Sequence, residues 1–216
     1  MFISKGFLLG LVLFGWSSAL SEVSDTYPKK IMVFGDSLSA AYGIADEEGW
    51  VNLLRQRVEK NFINWTVENA SISGETTSGG LTRIEYELDR IEPSIVVVEL
   101  GGNDGLRGYP IESVEQNLRN IVKKCQDAGA KVLVAGMRLP PNYGNQYTDS
   151  FYKMFERVAT ELNTAYTPFL LDKVGDQEDL MQNDGVHPKS IAQPILLDNI
   201  WPEVDRLLTA LTPVVN

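Results

Sequence analysis

Ser37, within Gly35-Asp36-Ser37-Leu38-Ser39, and His187, within Asp184-Gly185-Val186-His187-Pro188, are the two residues whose chemistries complement each other. A serine hydroxyl is a weak nucleophile until a base takes its proton, and a neutral imidazole, with an unperturbed pKa of about 6.5, can do so near neutrality. His187 is the single histidine of the chain, and an aspartate stands three residues before it. Asp184 would accept the second imidazole N–H, fix the tautomer and stabilise the imidazolium. Attack on a carbonyl also develops an oxyanion, which needs preorganised donors. Two further loops can supply them: Ser73-Gly74-Glu75-Thr76-Thr77 offers the N–H of Gly74, and Gly101-Gly102-Asn103-Asp104-Gly105 offers the Asn103 amide, beside the N–H of Ser37 itself. Each loop alone also reads as a polar turn, because Gly, Asn, Asp and Ser are favoured in turns for backbone reasons. Together the four point to acyl transfer.

Such loops must share one edge of a scaffold. Three apolar runs, Ile31 to Phe34, Ile95 to Val98 and Val132 to Ala135, show no in/out alternation and suit parallel strands covered on both faces. Trp65 to Ala70 predicts another strand. Helical spacing runs through Val114, Leu118, Ile121, Val122 and Cys125, with Ser113 and Gln116 as a capping box and Gly129 as a stop. The same period recurs from Phe151 to Leu162, more weakly over Trp50 to Val58 and Leu81 to Leu88, and again from Ser190 to Leu211, where Pro202 predicts a kink or restart. Alternating strands and helices imply an α/β sandwich, with sites beyond the carboxyl ends of the strands. No repeat or interdomain linker interrupts the pattern, so residues 22–216 read as one domain.

Residues 1–21 read as a cleavable secretory leader: Lys5, an apolar run from Gly6 to Trp16, then small residues at Ser17, Ser18, Ala19 and Ser21. The run falls well short of the roughly 20 residues a bilayer-spanning helix needs, so no stable membrane anchor is expected. A periplasmic or secreted location follows, although the lone Cys125 cannot form an internal disulfide. The net charge of −10, without any basic run, argues against nucleic acid. With one histidine and one cysteine, a zinc site is improbable. Gly74 to Gly79 has phosphate-loop glycine spacing, but Gly80 stands where that motif needs lysine.

These blocks, GDSLS at 35–39, Gly74 in SISGETT, GGND at 101–104 and DGVHP at 184–188, resemble in order the conserved blocks of SGNH (GDSL) hydrolases. VELGGNDGLRG at 98–108 and RLPPNYG at 138–144 are similar to the branch of periplasmic multifunctional acyl-CoA thioesterases and lysophospholipases of Gram-negative bacteria. The resemblance implies a flavodoxin-like three-layer α/β/α fold around a mainly parallel five-stranded sheet. It also implies a triad of Ser37, Asp184 and His187, an oxyanion hole of Ser37, Gly74 and Asn103, and no metal or organic cofactor. The implied substrate is a small acyl ester, thioester or lysophospholipid, and a monomer is expected. Ala40-Ala41 after the serine and the double proline at Pro140-Pro141 depart from the pattern. Leu106, Leu139, Pro140 and Tyr143 are candidate substrate contacts, and their apolar character favours acyl chains over the sugars of a carbohydrate O-deacetylase. Arg107 and Arg138 are candidates for a phosphate headgroup, or ordinary surface pairs. A non-catalytic exported binding protein on the same scaffold is the reading from another functional class.

Overall fold

The computed structural model describes residues 28–212, and the leader segment read at 1–21 lies outside them. Five strands, β1 (Lys29–Gly35), β2 (Trp65–Asn69), β3 (Ile95–Glu99), β4 (Lys131–Ala135) and β5 (Ala165–Thr167), form one parallel sheet in the order β2-β1-β3-β4-β5. The apolar runs lack alternation because both faces are covered. Ile31, Val33, Ile95, Val97, Leu133 and Ala135 point into a core with helices α1 (Trp50–Asn61) and α6 (Gln193–Leu211). Their neighbours Met32, Phe34, Val96, Val98, Val132 and Val134 point into a second core with α2 (Thr77–Ile91), α4 (Ile111–Asp127) and α5 (Asn145–Glu161). Cys125 lies in this second core, where burial pushes its thiol up to about 12, so the side chain behaves as a small hydrophobe.

Strand order reverses between β1 and β3, so the loops leaving them diverge and open a crevice at the carboxyl edge. A short helix, α3 (Gly102–Leu106), follows β3 there. At the opposite edge, the Lys29 ammonium donates to the Leu211 carbonyl at 3.0 Å and the Trp65 indole N–H donates to Thr212 Oγ1 at 3.2 Å. The first strand and the last helix are thus tied together on the side away from the crevice.

Two local expectations are corrected. Helix α4 starts at Ile111 with Pro110 as its N-cap and no side-chain cap bond, so Ser113 and Gln116 form no capping box. Pro110 serves there because its carbonyl accepts the N–H groups of Ser113 and Val114, and a proline has no N–H of its own to satisfy. Helix α6 begins at Gln193, after a 3-10 turn over Ser190–Ala192, and runs through Pro202 without restarting. Ile200, Val204, Leu207 and Leu208 stay buried across that position, and their packing offsets the lost backbone bond.

Gly136, just past β4, is packed so closely that a Cβ would enter the backbone carbonyl of Pro168. Backbone cannot rotate away as a side chain can. Gly136→Ala should therefore destabilise the fold by about 1–3 kcal/mol, read as a lower urea midpoint at unchanged slope.

Candidate functional site

The carboxyl edge gathers the four loops. Ser37 follows β1 in a tight turn closed by the N–H of Ala40 to the Asp36 carbonyl (3.0 Å) and that of Tyr42 to the Ser37 carbonyl (3.2 Å). His187 arrives from the other end of the chain and places Nε2 2.9 Å from Ser37 Oγ. Its Nδ1 is 2.7 Å from Asp184 Oδ2, and the other oxygen of Asp184 accepts the N–H groups of Val186 and His187 at 2.9 and 3.0 Å. A carboxylate can only accept, so in the neutral ring Nδ1 carries the proton and Nε2 presents its lone pair to the hydroxyl. Burial pushes Asp184 upward, but the N–H groups of His187 and Val186 and the imidazole outweigh it and hold the carboxyl down to about 2. The imidazole is mostly shielded, at 17% side-chain exposure, with the Tyr42 ring 4.5 Å away between centroids.

Asn103, in α3, donates one amide N–H to Asp36 Oδ2 at 3.0 Å, which leaves its second N–H free of that bond. Gly74 lies in the loop after β2. Its φ of +80° suits glycine, and the space a side chain would occupy is open. That loop is laced to the Ser37 turn: Ser71 Oγ accepts from Gly35 N–H (3.1 Å), Ile72 N–H donates to the Gly35 carbonyl (3.1 Å), and the Asn69 amide donates to the Ser39 carbonyl (2.8 Å). It is also tied to α3, because Asp104 accepts both the N–H and the hydroxyl of Thr77 (2.9 and 2.7 Å) at the start of α2.

Two carboxyls that the sequence reading did not single out lie behind the serine. Asp36 is buried, and burial outweighs its bonds to Leu38 N–H and Asn103 to push it up to about 6. Glu99, fully buried at the end of β3, is raised well above the usual carboxylate range by burial and then by the nearby Asp36 charge. One Glu99 oxygen accepts from Ser39 Oγ (2.6 Å) and Asp36 N–H (3.2 Å), while the other has no hydrogen-bond partner among the described residues. The available signal was an acid closing an apolar strand: Glu99 ends IVVVE and Asp36 follows KKIMVFG. An acid there is buried by the strand's own register.

Of the candidate substrate contacts, Tyr143 donates its hydroxyl to the Leu106 carbonyl at 2.9 Å, clasping the loop after β4 onto the end of α3. Leu139 packs, partly buried, against the second core, and Pro140 is exposed at the head of the 3-10 turn Pro141–Tyr143. An open groove of about 780 Å³ runs beside this clasp, walled by Tyr109, Ile111, Tyr143 and Tyr147, with Glu115 and Arg157 also lining it. Only Tyr143 of the four candidates lines it. Arg107 donates to the Gly74 carbonyl at 3.3 Å and so borders the site. Arg138 instead stacks over Tyr152 and Phe169, at 4.5 and 5.0 Å, and is committed there. Among the described residues, no group of three histidine, cysteine or carboxylate side chains is arranged to hold a metal ion.

A serine, a histidine and a carboxylate in line at the carboxyl edge of a five-stranded parallel α/β sheet have the geometry of the class of α/β serine hydrolases. Within that class, residues 33–192 match the model of the GDSL-like lipase/acylhydrolase family, and the chain belongs to that family. It is an enzyme. It is 43% identical over 198 residues to Esterase TesA of Pseudomonas aeruginosa, covering 92% of this chain and 98% of that one. It is 38% identical over 186 residues to the thioesterase 1/protease 1/lysophospholipase L1 of Escherichia coli K12, covering 86% and 85%. The crystal structure of a psychrotrophic esterase, EstA from Pseudoalteromonas sp., inhibited by monoethylphosphonate, superposes with a TM-score of 0.79 at 40% identity, covering 84% of this chain and 99% of that one.

The carboxyl shifts set a stability profile. Asp36 and Glu99 are raised in the folded state, so the native protein binds more protons than the unfolded chain as pH falls from about 6 toward 4, and stability should rise over that window. Asp184 is lowered, so its contribution is full above its unfolded value near 4 and is lost as pH falls toward 2. Urea midpoints should therefore peak near pH 4 and fall on both sides. In Asp36→Asn the gain between pH 6 and 4 should shrink.

Proposed function

We propose that residues 22–216, freed of an export leader at 1–21, form one hydrolase domain that cleaves carboxylic esters and thioesters, lysophospholipids among them, as a monomer in the periplasm or outside the cell. The carrying observation is the line from Asp184 Oδ2 through the His187 ring to Ser37 Oγ, at 2.7 and 2.9 Å. Ser37 Oγ attacks the acyl carbon while its proton passes to His187 Nε2, and Asp184 stabilises the resulting imidazolium. The N–H groups of Ser37 and Gly74 and the free amide N–H of Asn103 hold the developing oxyanion. Collapse expels the alcohol or thiol, which takes the proton from His187. Water, deprotonated by the same base, then releases the acid and restores the serine.

The acyl chain is read as lying along the clasped loops, against Leu106, Leu139, Pro140 and Tyr143. The order and spacing of the site residues support this reading, as do the esterase and thioesterase names of the relatives. The leader pattern supports export, and because acyl-CoA is a cytoplasmic metabolite, an exported enzyme of this kind meets lysophospholipids and other esters instead. Among the described residues no helix is long and apolar enough to cross a membrane.

The test is a panel of p-nitrophenyl esters, acyl-CoAs, lysophospholipids and acetylated sugars run on the wild type beside Ser37→Ala. Ester and thioester turnover should vanish in Ser37→Ala and in His187→Ala while circular dichroism is unchanged; persistent turnover in either refutes the assignment. Preference for acetylated sugars would move the substrate class to O-deacetylation. Asn103→Ala should lower kcat by about 10² to 10³, the usual effect of losing one oxyanion donor, and an unchanged kcat would remove Asn103 from the hole.

A further inference from the structure

Ser37 and His187 sit on turns that come from opposite ends of the chain. The His187 turn is a short hairpin, pinned by the Met181–Pro188 bridge and by Lys189 N–H to the Leu180 carbonyl at 2.8 Å. Those bonds fix its shape, not its distance from the serine. Ser190 Oγ to Glu48 (2.7 Å) and Trp50 N–H to Gln193 (3.0 Å) anchor the chain beyond the hairpin, at the approach to α6. Neither reaches the nucleophile turn.

Gln182 does. Its backbone N–H donates to the His187 carbonyl at 2.7 Å and its carbonyl accepts from Gly185 N–H at 3.0 Å. Its side-chain Nε2 donates to two backbone carbonyls, that of Tyr42 at 2.8 Å and that of Pro188 at 3.1 Å. Pro188 is the residue after the base, and Tyr42 closes the turn that begins at Ser37. One primary amide therefore holds both turns at once. A primary amide suits the place because both partners are acceptors and its nitrogen carries two N–H groups. The fold also makes room for it: Gly43 has φ +76°, and a Cβ there would run into the Gln182 side chain.

We propose that Gln182 is a positioning residue for the Ser37–His187 pair, its side-chain amide setting the separation of the two turns; the assignment rests on the nucleophile–base reading above. Proton transfer requires the two heavy atoms at hydrogen-bond distance, and a displacement of about 1 Å can lower turnover by 10². Substrate binding along the loops after α3 and β4 does not use Gln182. Its loss should thus act on the chemical step.

Gln182→Met keeps length and bulk without a donor, and Gln182→Glu keeps the shape while setting carboxylate oxygens against the two carbonyls. Each is compared with the wild type and Ser37→Ala on p-nitrophenyl acetate, with kcat counted per active site titrated to completion by a phosphonate. The expected result is a kcat about tenfold to hundredfold lower in both, KM within about twofold, and a parallel fall in the rate of Ser37 phosphonylation. A purely structural role would lower the melting temperature but leave turnover per titrated site intact. Turnover of Gln182→Met within about twofold of wild type would overturn the proposal, as would failure of both variants to fold. An inert Ser37→Ala beside an unimpaired Gln182→Met would sink this inference alone, whereas an active Ser37→Ala would sink the nucleophile reading beneath it.

Discussion

The hydrogen bond from Ser37 to His187 joins residues 150 positions apart, and it exists only when the sheet and the last helix are both in place. Neither turn has a hydrophobic core of its own, so their meeting is inherited from packing elsewhere. The sheet sets one half of the geometry: β1 and β3 pair in register from Ile31 opposite Ile95 to Gly35 opposite Glu99, which brings the serine turn beside the loop carrying Asn103. Helix α6, buried through Leu196, Ile200 and Val204 against the same sheet, sets the other by carrying the His187 hairpin to the carboxyl edge. A reactive pair assembled this way disappears as soon as the chain unfolds.

The polar groups behind the pair work against stability. Burying Asp36 and Glu99 opposes their charge, and the sheet holds them there through its apolar register. What this arrangement provides is an acceptor for the Asn103 amide and a seat for Ser39 and Asp36 N–H beside the Ser37 turn. Asp104 does a similar service for the Gly74 loop, but with its oxygens paired to Thr77.

Much of this was legible in the chain. Continuous apolar runs announced β1, β3 and β4, because a strand covered on both faces leaves no room for alternation, and the four polar blocks announced the loops that meet. Strand β5 was not legible from pattern: Ala165–Thr167 has three residues, one of them half-buried, too few to show any period. The start of α4 was misread because Ser113 and Gln116 imitate a cap, whereas Pro110 takes that place. At Pro202 the sequence left a kink or a restart open, and the packing of α6 carries one continuous helix across it. The roles of Asp36, Glu99 and Gln182 depend on contacts between segments far apart in sequence, which no local spacing encodes.

The bonds joining Lys29 to Leu211 and Trp65 to Thr212 bring the two ends of the described chain side by side at the strands' amino edge, with the length of the strands between them and the crevice. Anything attached at either end, such as a solid support, a fusion partner or a display scaffold, would project from the back of the molecule. Oriented immobilisation of this enzyme with the crevice toward the solution is therefore favoured by the way its first strand and last helix are fastened together.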